Sequence, residues 1–229
     1  MKIGIILTPD ERSKAYLQKI VQNHFLIDEI LFMNDGRKEN IFSNEIITKA
    51  KDLGFDISES VKFTLRKNNI NFYEFNFVDI NHPLLSEYIS KSKTDVFIFT
   101  GGGILRENIL NSGSRFVHLH PGIVPNYRGS TCFYYSIINE DSSGVTAYFM
   151  DKEIDTGNVI FQKKFPKPDY SFIDEIYDAH IRSETLLEVL KNNLIQKDKT
   201  TKQNPCEGET FYIIHPVLKH IAILSCIKK

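Results

Sequence analysis

The 229-residue sequence contains no tryptophan and only three cysteines. Cys132, Cys206 and Cys226 are odd in number and show no C-x-x-C spacing. That argues against a disulfide framework or a zinc ribbon, and for a reducing compartment. Charge of one sign is also missing, since 28 Lys and Arg against 29 Asp and Glu leave a net −1. Such a balance predicts no general attraction to nucleic acid or to an anionic membrane. No apolar run approaches the roughly 18 residues that a membrane helix needs. The opening Met1-Lys2-Ile3-Gly4-Ile5-Ile6-Leu7 is too short for a signal segment, and Asp10, Glu11 and Arg12 soon break it. A cytoplasmic location is expected. The phosphate fingerprints G-x-G-x-x-G and G-x-x-x-x-G-K-[ST] are absent, as are repeats and low-complexity tracts. What is there is 41% hydrophobic and 25% charged residues, with 17 Phe and 10 Tyr to build an aromatic-rich core.

Short apolar or alternating runs predict strands at 2–7, 27–33, 71–77, 95–100, 115–119, 144–150 and 158–165. Helical spacing predicts helices at 13–23, 45–53, 58–67, 82–91, 104–110, 130–139 and 172–194. Strand and helix signals alternate through residue 140, which favours a doubly wound α/β sheet. A linker is expected at 166–171 and a solvated polar loop at 196–203. The tail reads as a strand at 209–214 and a small helix at 216–226.

The densest chemistry lies in residues 117–129, V-H-L-H-P-G-I-V-P-N-Y-R-G, with an echo at Ile154-Asp155-Thr156-Gly157. His118 and His120 at i and i+2 leave one face of a strand. Pro121, Gly122 and Pro125 then force an irregular loop. Several readings stay open. The H-x-H pair suits a metal, a structural pair bonded to backbone, or acid/base and oxyanion work. Asp155 suits turn chemistry or proton transfer, with Asp151 and Glu153 as alternatives. Arg128 either orients an anionic group or pairs with a surface acid. Gly101-Gly102-Gly103 either turns the chain or presents bare backbone to a planar ligand. Cys132 reads as a buried thiol or as one of lowered pKa at a helix start. His215 reads as structural.

His120-Pro121-Gly122-Ile123-Val124-Pro125-Asn126-Tyr127-Arg128-Gly129, then Gly144-Val145-Thr146, then Ile154-Asp155-Thr156-Gly157 resemble the N-formyltransferases that use 10-formyltetrahydrofolate. Their pattern is N-x-H-P-S-L-L-P-x-[YF]-[RK]-G, followed by G-[VA]-T and D-x-G. The resemblance implies a Rossmann-like, mostly parallel sheet with a short C-terminal appendage. The implied division is a catalytic core at 1–166, a long helix packing on it at 167–195 and an appendage at 196–229. It implies His120 and Asp155 as catalytic groups, with a protonated His120 stabilising the oxyanion and Asp155 keeping it charged. It implies folate contacts at Gly102, Gly103, Ile104, Leu105, Ile154 and Asp155, and substrate contacts at Gly122, Tyr127 and Arg128. No metal is implied. His118 stands where the family has Asn, and Gly122 where it has Ser. His118 is therefore expected to replace an amide donor, as a third catalytic group.

Three amine substrates fit such a family. Enzymes acting on glycinamide ribonucleotide carry a glycine-bearing phosphate loop after the first strand. Here that stretch is Leu7-Thr8-Pro9-Asp10-Glu11-Arg12, with no glycine and two acids. The initiator-tRNA enzymes carry a basic C-terminal domain, and a net −1 gives no reason for tRNA affinity. The expected substrate is a nucleotide-linked amino deoxysugar for lipopolysaccharide or another surface polysaccharide. Folate and the nucleotide sugar are then the partners, without nucleic acid or membrane, and a homodimer is one expectation for the assembly. The alternatives are another amine, an altered binding protein, or a metal hydrolase built on H-x-H.

Overall fold

Five consecutive apolar residues can be buried on both faces only inside a sheet covered by helices. In the computed structural model, which describes residues 1–197, 199–204 and 206–227, β1 (Ile3–Leu7) is such a strand, buried throughout. Position 198 of the expected polar loop and positions 205, 228 and 229 of the expected appendage lie outside the described residues. The chain forms two compact units, Met1–His118 and Leu119–Lys229.

In the first unit β1 pairs in parallel with β2 (Glu29–Met33) and β4 (Val96–Phe99). β2 pairs with β3 (Tyr73–Phe75), and β4 pairs with the start of β5 (Arg115–His120), setting Phe99 opposite His118. The order β3-β2-β1-β4-β5 is Rossmann-like, and the fold is α/β and mostly parallel. The winding reverses between β1 and β4, so their carboxyl ends form a topological switch point. The helices are α1 (Glu11–Gln22), α2 (Asn44–Asp52), α3 (Val61–Lys67), α4 (Pro83–Lys91) and α5 (Glu107–Leu110). The helix expected at 104–110 is reduced to α5. Asn81 donates to the Ile104 carbonyl at 3.0 Å and accepts from the Arg106 N–H at 2.7 Å, engaging backbone groups that a longer helix would use.

α1 is tied to both strands of the switch point. The Asp10 carboxylate caps the helix by accepting from Ser13 N at 2.8 Å. It also accepts from Thr8 Oγ1 and Arg12 Nη2, each at 3.0 Å. Ser13 Oγ lies 2.6 Å from Thr100 Oγ1, which donates to the Ile6 carbonyl. One capping residue thus fixes how α1 leaves β1 and where β4 ends.

The second unit opens on the last residues of β5. β6 (Tyr127–Gly129) pairs in parallel with β9 (Glu209–Phe211), a partnership between a stretch expected as loop and one expected as tail strand. α6 (Cys132–Glu140) leads into β7 (Ser142–Phe149), antiparallel to β8 (Val159–Pro166), with an irregular register between Ala147 and Tyr148. The single long helix expected at 172–194 is instead a π-helical turn, Ile173–Tyr177, running into α7 (Asp178–Lys191). The polar run after it is not all solvated loop. It begins in α8 (Leu194–Lys197), and Thr201 exchanges backbone hydrogen bonds with Val159. α9 (Pro216–Cys226) buries Ala222 and Cys226. Among the described residues no helix is long and apolar enough to cross a membrane.

Replacing Asp10 with Ala removes the cap and its ties to Thr8 and Arg12. The expected cost is about 1–2 kcal/mol of unfolding free energy, read from urea denaturation. A midpoint equal to the parent's would show that the cap does not anchor α1.

Candidate active site

β5 runs apolar until its last turn of side chains, and delivers His118 and His120 at i and i+2. His120 is 2% exposed. Its Nε2 lies 2.8 Å from the Tyr127 carbonyl and its Nδ1 lies 3.3 Å from Asp155 Oδ2. A carbonyl can only accept, so Nε2 carries the hydrogen. In the neutral ring Nδ1 then has a lone pair, which faces a carboxylate oxygen. Two acceptors at that separation are favourable only when one proton is shared between them. Burial pushes the His120 pKa below its ordinary value and outweighs the opposing charge of Asp155; Arg182 lowers it further. The expectation that Asp155 keeps His120 as imidazolium is therefore corrected. The cost of burying the cation exceeds what one carboxylate returns.

Gly122 explains how the ring sits so close to Tyr127. A Cβ there would stand 2.6 Å from the Tyr127 carbonyl oxygen and 2.7 Å from His120 Nε2. Glycine, at the position where the resembled pattern has Ser, leaves room for that hydrogen bond. Thr146 Oγ1 secures the loop by donating to the Gly122 carbonyl at 2.7 Å and accepting from Val124 N at 3.2 Å. Arg182, from α7, donates Nη1 to the Leu119 carbonyl at 2.7 Å and Nε to Asp178 at 2.6 Å.

Asp155 adopts a left-handed backbone, φ 55°, which is costly for a residue with a side chain. It is held on every side. Oδ2 accepts from Gly129 N at 2.7 Å, and Oδ1 accepts from Tyr148 Oη at 2.6 Å. Its own carbonyl accepts from Gln203 Nε2 at 2.9 Å, and the same amide donates to the Gly157 carbonyl at 2.7 Å. At Gly157 a Cβ would fall 1.7 Å from the Phe149 carbonyl oxygen, so the loop closes against β7 only with glycine there. The Asp155 side chain is 12% exposed against 2% for His120, so the carboxylate is the more open member of the pair. Asp151 and Glu153 are exposed, and Asp151 accepts from Thr156 Oγ1.

Two expected substrate contacts are redirected. Arg128 is buried, and its guanidinium donates to Gln203 Oε1 and to the carbonyls of Asn204 and Glu207. Those bonds tie the segment after α8 to β6, which is a structural task. Tyr127 is buried and stacks on Phe211, with ring centroids 5.4 Å apart. Burial and the Asp155 charge push the Cys132 thiol up to about 12, which removes the reading of a reactive cysteine. Ile154 is exposed.

In the first unit, His118 is partly buried and its Nδ1 lies 3.2 Å from the Phe99 carbonyl. Gly102, Gly103 and Ile104 are exposed just beyond the switch point, whereas Leu105 is 2% exposed and belongs to the core. Sequence reasoning missed Tyr148, Arg182 and Gln203. Nothing in their local patterns marks them, because each acts through a fold contact with a distant residue. Among the described residues no group of three His, Cys, Asp or Glu side chains stands where it could hold a metal ion.

A family model described as formyl transferase matches residues 33–185. The methionyl-tRNA formyltransferase of Clostridioides difficile (strain 630) is 30% identical over 202 residues, which cover 83% of this chain and 59% of that protein. Against the corresponding protein of Ehrlichia canis (strain Jake), at 28% identity, the match covers 49% of this chain and 39% of the relative. Among solved structures, WlaRD, a sugar 3N-formyl transferase determined with dTDP and 5-N-formyl-THF, superposes with a TM-score of 0.62 at 22% identity. It is covered over 69% of its length by 93% of this chain. An N-formyltransferase from Helicobacter canadensis, in complex with folinic acid and dTDP-3-aminofucose, gives 0.61 at 20% identity, over 93% of this chain and 71% of that one. These structural likenesses carry the fold.

A buried, doubly bonded His120 with a lowered pKa makes stability depend on pH. As pH falls, the unfolded chain takes up this proton before the folded chain does. The stability is intact above the unfolded value of about 6.5 and declines below it. The melting temperature is expected to fall between about pH 6.5 and pH 5 more steeply for the parent than for His120→Gln. Parallel curves would show that His120 is not depressed in the fold.

Proposed function

The chain belongs to the formyl transferase family, and on that premise we propose that it transfers a formyl group from 10-formyltetrahydrofolate to the primary amine of a nucleotide-linked amino deoxysugar. The observation that carries the reaction class is the buried His120 Nδ1 and Asp155 Oδ2 pair, 3.3 Å apart and able to take up one proton. 10-Formyltetrahydrofolate supplies the formyl carbon and receives a proton at the nitrogen that carbon leaves.

The attacking amine must lose a proton. Asp155, the more open of the two groups, accepts it, and His120 Nδ1 shares it from behind. The Nε2–H stays on the Tyr127 carbonyl throughout, so the ring gains charge only while the pair holds the proton. Release of that proton to the leaving nitrogen restores the starting state. His120 acts here through Asp155 rather than as an imidazolium aimed at the oxyanion.

The oxygen of the tetrahedral intermediate needs a donor. His118, two residues earlier on β5, holds the position of the family's Asn. Its Nδ1 faces the Phe99 carbonyl, so that nitrogen carries the hydrogen and Nε2 of the neutral ring is an acceptor. Donation from Nε2 requires the imidazolium. An Asn in this place donates at any pH, and His118 donates only when charged. The exposed stretch Gly102, Gly103 and Ile104 suits the flat pterin, with the buried Leu105 next to it in the chain.

The choice of an amino sugar is supported by the Leu7–Arg12 stretch, which lacks a glycine phosphate loop, and by the net charge of −1. It is supported also by the sugar formyltransferases whose fold the chain shares. The identity to a methionyl-tRNA formyltransferase favours a second reading, an aminoacyl amine. Incubation with 10-formyltetrahydrofolate and, in parallel, dTDP-3-aminofucose, glycinamide ribonucleotide and methionyl-tRNA separates them. Formylation of methionyl-tRNA without any sugar product would overturn the sugar reading.

Asp155→Asn and His120→Ala are expected to lower kcat by about 10²–10⁴-fold while keeping the circular dichroism of the parent. Rates near the parent's would refute the proton pair. His118→Asn is expected to stay active, since its amide can supply the same hydrogen bond. A dead His118→Asn protein would sink the donor role given to the imidazole.

A further inference from the structure

We propose that Tyr148 is a positioning residue for the reaction, fixing the Asp155 carboxylate and setting the pH at which the His120–Asp155 pair takes up its proton. The inference rests on the formyl-transfer reading given above.

β7 alternates its side chains, and Thr146 and Tyr148 share the face turned toward the His120 loop and the Asp155 turn. Thr146 bonds the Gly122 carbonyl, and Tyr148 bonds Asp155 Oδ1. The ladder with β8 breaks register opposite Ala147 and Tyr148, where Ile160 is the extra residue on β8, so β7 keeps its alternation and Tyr148 stays on the face of Thr146. The hydroxyl is deeply buried, with Tyr148 2% exposed. Burial, and then the Asp155 charge, push the phenol well above its ordinary range. Tyr148 therefore stays protonated over any working pH and acts only as a donor. A permanent donor on Oδ1 favours the charged carboxylate. It also fixes the carboxylate plane, so that Oδ2 faces His120 Nδ1 and Gly129 N.

The other charged or titratable groups around the pair come from several elements. They are His120 on β5, Cys132 on α6, Asp151 in the turn after β7, and Asp178 and Arg182 on α7. Tyr148 is bonded to Oδ1 itself, at 2.6 Å. Loss of its hydrogen bond makes the pair hold a proton more tightly. The midpoint of protonation then moves up, whichever partner carries the proton.

The test compares Tyr148→Phe with the parent protein, with Tyr134→Phe as control. Tyr134 is also a buried hydroxyl of the second unit, but it donates to Asp174. Imidazole nitrogen NMR follows the His120 titration without any substrate. The expected result is an upward shift of about half to one pH unit in Tyr148→Phe and none in Tyr134→Phe. With dTDP-3-aminofucose as the amine, or methionyl-tRNA if that is the substrate formylated, the acidic limb of kcat is expected to move the same way. KM should change less than twofold. An unchanged His120 midpoint in a folded Tyr148→Phe protein overturns the proposal. If instead the midpoint moves but Asp155→Asn remains active, the formyl-transfer roles fail while the positioning by Tyr148 stands.

Discussion

Asp155 occupies a backbone conformation that costs a non-glycine residue on the order of 1–3 kcal/mol, and it does so at the turn between β7 and β8. Strain of that size persists only where the surroundings over-determine the geometry. Here a backbone N–H from β6, a phenol from β7 and an amide from the segment after α8 converge on one residue. Most of the second unit's irregular features serve that convergence. The short β6–β9 pair holds Gly129 in place, the alternation of β7 aims Tyr148, and Arg128 secures Gln203 through its side-chain oxygen. Remove the carboxylate, and the Gly129 N–H and the Tyr148 hydroxyl lose their common acceptor, while Gln203 keeps its bond to the backbone carbonyl.

The same arrangement explains why a buried histidine can be useful while remaining neutral. A fully desolvated imidazole resists carrying charge, and a single carboxylate does not overcome that resistance. Yet the Tyr127 carbonyl fixes Nε2 as the donor and leaves Nδ1 facing Asp155. The pair is therefore short of one proton rather than stable as an ion pair. In the proposed reaction a pair poised in this way would accept a proton from an incoming amine and give it up again, whereas a firmly charged imidazolium would hold it. Glycine at 122 is part of the device, because any Cβ would press on both the ring nitrogen and the carbonyl it bonds.

The fold was legible where period and punctuation agreed. The strands at β1, β4, β7 and β8 read directly as apolar or alternating runs between breakers, and the helix under Pro83 read from its proline at the first turn. The His120–Asp155 pairing also read, through the resemblance of linked motifs. Tertiary contacts hid the rest. A three-residue β6 has no period of its own and exists because Phe211 stacks on Tyr127 beside it. Helix α5 starts late because Asn81, far away in sequence, claims the backbone of 104–106. Arg128 looked like a substrate clamp because its motif neighbours are functional, and only the path of 203–207 reveals its inward bonds. Gln203 sat in a run whose composition says solvent, yet it braces the Asp155 turn.

On the proposed reading, the groups that move the proton are separable from those that choose the amine. His120, Asp155 and the loop around Gly122 lie in the stretch matched by the formyl transferase model, and relatives named for methionyl-tRNA align over the same region. Sugar formyltransferases share its fold. Chemistry common to such different amines cannot by itself select one. The one basic residue of the motif, Arg128, is directed inward, with its guanidinium bonded to Gln203, Asn204 and Glu207. Selection would then come from side chains outside these short motifs. The reaction class is carried by the family match, and the identity of the amine has to be read from binding rather than from the motif.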